Sequence, residues 1–146
     1  MSVRCIRPHE VFDRVSTIPS IATVVLPNRF TYKGSPLALE QLILCALVKW
    51  IEPNNMFEFG TFTGATARLL SDNAPSAHLF SIDLDAPTRV VDVGQDAELA
   101  RISMDRSAVL LEKSERITLL RGDSRTYDYS SIPPCDFIWI DGGHDL

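Results

Sequence analysis

Apolar residues in this chain alternate between short unbroken runs and longer stretches with helical periodicity. From Pro36 to Lys49, Leu39, Leu42, Ile43, Ala46 and Leu47 recur at helical spacing and predict a helix whose core-facing side they form. Ser35 suits its cap and Pro36 its first position, and Glu52-Pro53-Asn54-Asn55 stops it. Met56 to Phe59 reads as a strand, followed by a helix from about Gly64 to Leu70 or Ser71 and a turn at Asn73-Ala74-Pro75-Ser76. Leu79-Phe80-Ser81-Ile82 predicts a second strand ending on Asp83, and a polar loop then leads to a helix from about Asp96 to Leu111. Ile117 to Leu120 and Asp136 to Ile140 are the third and fourth strands.

Strands that are apolar throughout, separated by helices, imply a parallel sheet covered on both faces. Right-handed crossovers then make the fold class α/β, a doubly wound, mostly parallel Rossmann-like sheet. Residues 1–34, with Pro8, Pro19 and Pro27, read as an amino-terminal extension, and residues 35–146 as the domain. All four strand ends carry polar or glycine-rich groups: Gly60 and Thr61, Asp83, Asp123 and Ser124, Asp141 and His144. A ligand crevice at the carboxyl ends of parallel strands requires that convergence.

The chain has 146 residues, 45% hydrophobic and 23% charged, which is the make-up of one ordinary globular domain. A formal net charge of -5 and the lack of a Lys/Arg cluster argue against a nucleic-acid partner. Cys5, Cys45 and Cys135 are far apart and odd in number, so neither a disulfide framework nor a zinc motif is indicated. The first residues hold no apolar signal core and no run approaches membrane-spanning length, so a cytoplasmic location without membrane attachment is expected.

Gly60 and Gly64 bracket a turn between strand and helix, where backbone can approach a ligand and helix amides attract oxygen. A tight turn with no ligand is the plainer alternative. Phe62 stands where a dinucleotide motif has its middle glycine, and no Gly-Lys-Ser/Thr follows to make a phosphate loop. Glu58, inside the strand, either accepts hydrogen bonds from a bound amine or braces the turn. Asp83 suits two ribose hydroxyls or a turn, with Asp85 as a neighbouring competitor. Asp123 and Ser124 suit an adenine edge or a simple Asp-Ser turn. Asp141 suits a hard divalent cation, and His144 can take a proton near neutral pH or be a surface histidine. Phe59, Phe137 and Trp139 read as core, Phe62 as the aromatic nearest a ligand, and His9 and His78 as poorer candidates.

Together these stretches, from about Leu37 onward, resemble the class I S-adenosylmethionine-dependent methyltransferases. Glu58-Phe59-Gly60-Thr61-Phe62-Thr63-Gly64 looks like the first motif of the catechol-type, metal-dependent O-methyltransferases, and Phe80-Ser81-Ile82-Asp83 like the second. Leu120-Arg121-Gly122-Asp123-Ser124 is similar to the adenine-side segment, and Asp136 to His144 to the segment ending in Asp-Gly-x-His. The resemblance implies S-adenosylmethionine held by Glu58, Gly60, Thr61, Gly64, Asp83, Asp123 and Ser124, magnesium on Asp141, and His144 as general base towards a small-molecule hydroxyl.

The stretch between Asp83 and Ile117 is long for one crossover and suggests an insertion. The family's sheet has seven strands, so the expectation is the amino-terminal part of that fold. This would be a fragment or truncated product that keeps cofactor contacts with little or no turnover and an incomplete magnesium site. Its exposed sheet edge would invite homo-oligomers. The rival readings are an NAD-dependent oxidoreductase and a non-catalytic binding or dimerising domain.

Overall fold

The structure, a computed structural model, describes residues 24–26, 38–84 and 114–141. Its elements are α1 (Ala38–Ile51), β1 (Asn55–Phe59), α2 (Ala65–Asn73), β2 (His78–Asp83), β3 (Ile117–Arg121) and β4 (Phe137–Ile140). The strands form one parallel sheet in the order β3-β2-β1-β4, with β1 at its centre, as expected of an α/β doubly wound fold. Among the described residues no helix is long and apolar enough to cross a membrane. The expected start of α1 at Ser35-Pro36, the insertion, the helix from Asp96 to Leu111 and His144 lie outside the described residues.

Glu40 in the first turn of α1 and Lys49 in its last complement the helix dipole. Beyond its end Glu52 adopts a left-handed φ of 49°, and its amide donates to the Val48 carbonyl at 3.0 Å before Pro53 blocks continuation. The face of α1 differs from expectation. Gln41, Leu44, Cys45 and Val48 are buried, whereas Leu39 and Leu42 are 56% and 41% exposed. The helix is apolar around most of its circumference, so periodicity alone does not choose a side. The buried stripe also begins on a polar residue, Gln41, which an apolar count passes over. Cys45 is a small core residue, and burial pushes its thiol up to about 11.

Leu44 and Val48 of α1 and Ala67 and Leu70 of α2 pack on Met56, Leu79 and Phe137 of the sheet. The register aligns Met56, Leu79, Ile117 and Phe137 across the four strands, so this apolar layer spans the sheet beneath both helices. On the opposite face Tyr129 packs against Phe57 and Phe59, with ring centroids 5.7 and 6.2 Å away, while Ile138 and Ile140 of β4 are exposed.

Two polar clasps fix the ends of these elements. The Asp136 carboxylate accepts from the amides of Asn54 at 2.7 Å and Asn55 at 3.3 Å, which ties the start of β4 to the start of β1. Asn73, buried at the end of α2, imitates a strand neighbour for residue 25. Its amide nitrogen donates to the Val25 carbonyl at 2.9 Å and to the Leu69 carbonyl at 2.8 Å, and its oxygen accepts from the Val25 amide at 2.9 Å.

Replacing that amide strands buried partners on both sides. Asn73→Ala is expected to cost about 2 kcal/mol in denaturant unfolding and to speed proteolysis around residues 24–26. Unchanged stability and cleavage would show that the clasp carries no weight.

Candidate functional site

Side chains two residues apart along a strand share a face, so the register sorts the helix-covered face into layers. Above the apolar layer lie Glu58, Ser81, Leu119 and Trp139, aligned across the sheet. Above these, at the carboxyl rim, come Gly60, Asp83, Arg121 and Asp141. The Gly60 amide donates to the Ile82 carbonyl at 2.9 Å and the Asp141 amide to the Phe59 carbonyl at 2.8 Å, which carries the ladder to this level. Gly60 brings no side chain to this layer, so Glu58 lies one step beneath the interval between Asp83 and Asp141.

Glu58 is fully buried. Its Oε2 accepts a short hydrogen bond from the Ser81 hydroxyl, and that hydroxyl lies 2.6 Å from Thr61 Oγ1. Its Oε1 has no hydrogen-bond partner among the described residues. Burial pushes the carboxyl up to about 8; the Ser81 bond opposes this, and the charges of Asp83 and Asp141 add to it. Burial therefore favours the neutral acid over the carboxylate until a cation or further donor lies beside it.

The turn above it depends on left-handed backbone. Gly60, Phe62 and Gly64 have φ of 96°, 46° and 77°. For Phe62 this conformation costs about 1–2 kcal/mol. A 2.7 Å hydrogen bond from its amide to Asp83 Oδ2 offsets that cost. Asp83 Oδ1 accepts from the amide of its own neighbour Leu84 at 2.9 Å, so it is Oδ2 that braces the turn. Thr61 is buried and its hydroxyl turns inward to Ser81. α2 opens at Gly64 with no side-chain cap on its first amides.

The Gly122 amide donates to the Asp83 carbonyl at 3.0 Å, which brings the Asp123-Ser124 turn to the same rim. There the Asp123 carboxylate accepts from the Arg125 guanidinium, at 2.6 Å from Nη2, and from the Arg125 amide at 2.9 Å; these bonds hold its carboxyl down to about 2. Ser124 is exposed, and its carbonyl accepts from the Tyr129 hydroxyl at 2.6 Å. Phe137 is core as expected. Trp139 packs against the core, with its Nε1 buried and without a partner among the described residues. His78 is paired with Thr118 at 2.7 Å at the amino end of its strand, far from the rim. An open cleft of about 340 Å³, lined by Arg68, Ser114, Glu115 and Arg116, likewise adjoins the amino end of β3.

The strand ends thus bring Glu58, Gly60, Gly64, Asp83, Asp123 and Asp141 to one rim. Sequence reasoning missed Ser81. A serine inside an apolar strand, one strand away from a buried acid, is the signal that points to it. Among the described residues no three His, Cys, Asp or Glu side chains cluster as metal ligands, and no step is derived through a metal.

No protein-family profile and no curated protein matches the chain. Solved structures do match. The S-adenosylhomocysteine-bound methyltransferase PaMTH1 of Podospora anserina aligns with 97% of this chain and 61% of its own, at 14% identity and a TM-score of 0.58. An O-methyltransferase from Bacillus cereus, in complex with S-adenosylhomocysteine, aligns with 92% of this chain and 53% of its own, at 18% identity and a TM-score of 0.52. TomG of Streptomyces achromogenes, an O-methyltransferase involved in tomaymycin synthesis and solved with S-adenosylmethionine, aligns over 73% and 45%, at 19% identity and a TM-score of 0.52. The chain has the Rossmann-like fold of these methyltransferases and spans 45 to 61% of their lengths.

The raised carboxyl of Glu58 sets a pH dependence. An unfolded chain releases this proton near 4.5 and the folded one near 8, so between those values the folded state binds more protons. Stability is greatest below 4.5 on this account and falls as pH rises to about 8, by an amount on the order of a few kcal/mol. Glu58→Gln is expected to remove that fall in unfolding measured from pH 5 to 8. An identical slope in both proteins would place the charge elsewhere.

Proposed function

We propose that this chain holds S-adenosylmethionine along the carboxyl rim and serves methyl transfer to a hydroxyl of a small molecule. The supporting observation is the buried Glu58, whose Oε1 has no partner among the described residues, beneath a glycine-bracketed turn. On this reading Glu58 accepts from the ligand's amine, and the turn from Gly60 through Thr61 to Gly64 lets backbone approach the amino-acid portion. The uncapped start of α2 offers amides to its carboxylate. Asp83 accepts from ribose hydroxyls, and Asp123 and Ser124 border the adenine. The bound cofactor supplies an electrophilic methyl group on a sulfonium. The chain's part in the reaction is placement, with Asp141 at the acceptor side of the rim and His144 as the base that takes the hydroxyl proton.

The same proposal assigns residues 35–146 to the cofactor-binding portion of a longer domain and residues 1–34 to an extension, in a cytoplasmic protein. Magnesium on Asp141 enters only as a ligand still to be tested by metal titration. The acids at the rim disfavour an NAD-dependent oxidoreductase, because they would face a pyrophosphate. One observation favours a second reading, self-association along β4: Ile138 and Ile140 are 56% and 73% exposed. A sedimentation coefficient that rises with concentration and ignores cofactor would support it.

Calorimetric titration with S-adenosylhomocysteine is expected to give saturable binding that Glu58→Gln weakens by about tenfold or more. Gly60→Ala, forced into a φ of 96°, is expected to lose binding as well. A folded protein that shows no saturable heat, or that binds NADH instead, would overturn the proposal.

A further inference from the structure

The turn that borders the adenine in the reading above already satisfies its own acid. Asp123 Oδ1 accepts from the Arg125 amide at 2.9 Å and from Nε at 3.0 Å, and Oδ2 accepts from Nε at 3.1 Å and from Nη2 at 2.6 Å. A carboxylate offers about four acceptor directions, two on each oxygen, and here one residue fills them. Adenine brings a single N–H group to such an acceptor, its 6-amino group, and it meets an acid whose directions are taken.

The turn does not need the guanidinium to keep its shape. The Asp123 carbonyl accepts from the amides of Thr126 at 3.0 Å and Tyr127 at 2.9 Å, and the Ser124 carbonyl from the Tyr129 hydroxyl at 2.6 Å, while the Gly122 amide is tied to the Asp83 carbonyl. The Arg125 side chain is 83% exposed, against 27% for Asp123, so the guanidinium can leave for water while the backbone that carries Asp123 stays. An exposed ion pair of this kind is weakly held and is screened by salt.

We propose that Arg125 sets the base selectivity of the rim as an internal competitor: its guanidinium fills the acceptor positions of Asp123 that the 6-amino group of the cofactor's adenine would use, so nucleoside binding exchanges one donor for the other. The inference rests on the cofactor reading above and adds to it the residue that blunts recognition of the base. The Arg125 amide belongs to the backbone and does not leave with the side chain, so the carboxylate keeps one fixed donor through the exchange.

Arg125→Ala removes the competitor and leaves every backbone bond of the turn. The test compares calorimetric affinities for S-adenosylhomocysteine and its 6-deamino analogue, in which hydrogen replaces the amino group of the purine. In Arg125→Ala, S-adenosylhomocysteine is expected to tighten by about two- to fivefold, the range of an exposed ion pair, while the analogue is unchanged. A change in the shape of the turn or in overall charge would move both ligands alike. Raising salt should favour S-adenosylhomocysteine over the analogue in the wild type, by screening the pair, and should leave that ratio unchanged in Arg125→Ala. A weaker or unaltered S-adenosylhomocysteine in Arg125→Ala, a tightening that the analogue shares, or a wild-type ratio that ignores salt overturns the inference. If the wild-type protein binds neither ligand, the cofactor reading itself has failed and the inference falls with it.

Discussion

A carboxyl group buried at the centre of a parallel sheet constrains everything around it. Water cannot reach Glu58, so the protein either keeps it neutral or surrounds it with donors. Ser81 is in register on the neighbouring strand for that reason, and Thr61 backs Ser81 from the turn. The same chain of hydroxyls draws the turn down onto the sheet, while Asp83 secures its other side through the Phe62 amide. The rim therefore takes its shape from an acid lying beneath it. Gly60 adds no side chain between the acids that flank it in the layer above.

Much of the architecture was legible in the pattern of residues. Met56 to Phe59 is a mostly apolar run bounded by Asn55 and Gly60, Leu79 to Ile82 one bounded by His78 and Asp83, and each lies within the strand found there. The rim candidates were legible because they end strands, and parallel strands bring their ends together. Two things were not legible. The face of α1 was misread because its apolar residues surround the helix, and only packing against α2 and β1 selects the stripe from Gln41 to Val48. The partners of the acids were hidden too: which donor meets Glu58 depends on register, and no single strand contains its register. The Arg125 bond to Asp123 was missed for a local reason, since a turn that satisfies its own acid resembles one awaiting a ligand.

Likeness at 14 to 19% identity means that the shared fold with methyltransferase structures is carried by pattern and not by particular side chains. Apolar strands order a parallel sheet through geometry, which many sequences can satisfy.

The Asp136 clasp also bears on the order in which the sheet assembles. Glu58 meets Ser81 across 23 residues of chain, whereas Asn54 meets Asp136 across 82. Loop closure makes the longer contact costlier by about 1 kcal/mol, so the β1-α2-β2 unit is favoured to form first and β4 to join afterwards. Through that interval during synthesis, one edge of β1 stands open and Glu58 lacks its second neighbour. The carboxylate of Asp136, bonded to the first amides of β1, then acts as the latch that aligns the last strand to arrive.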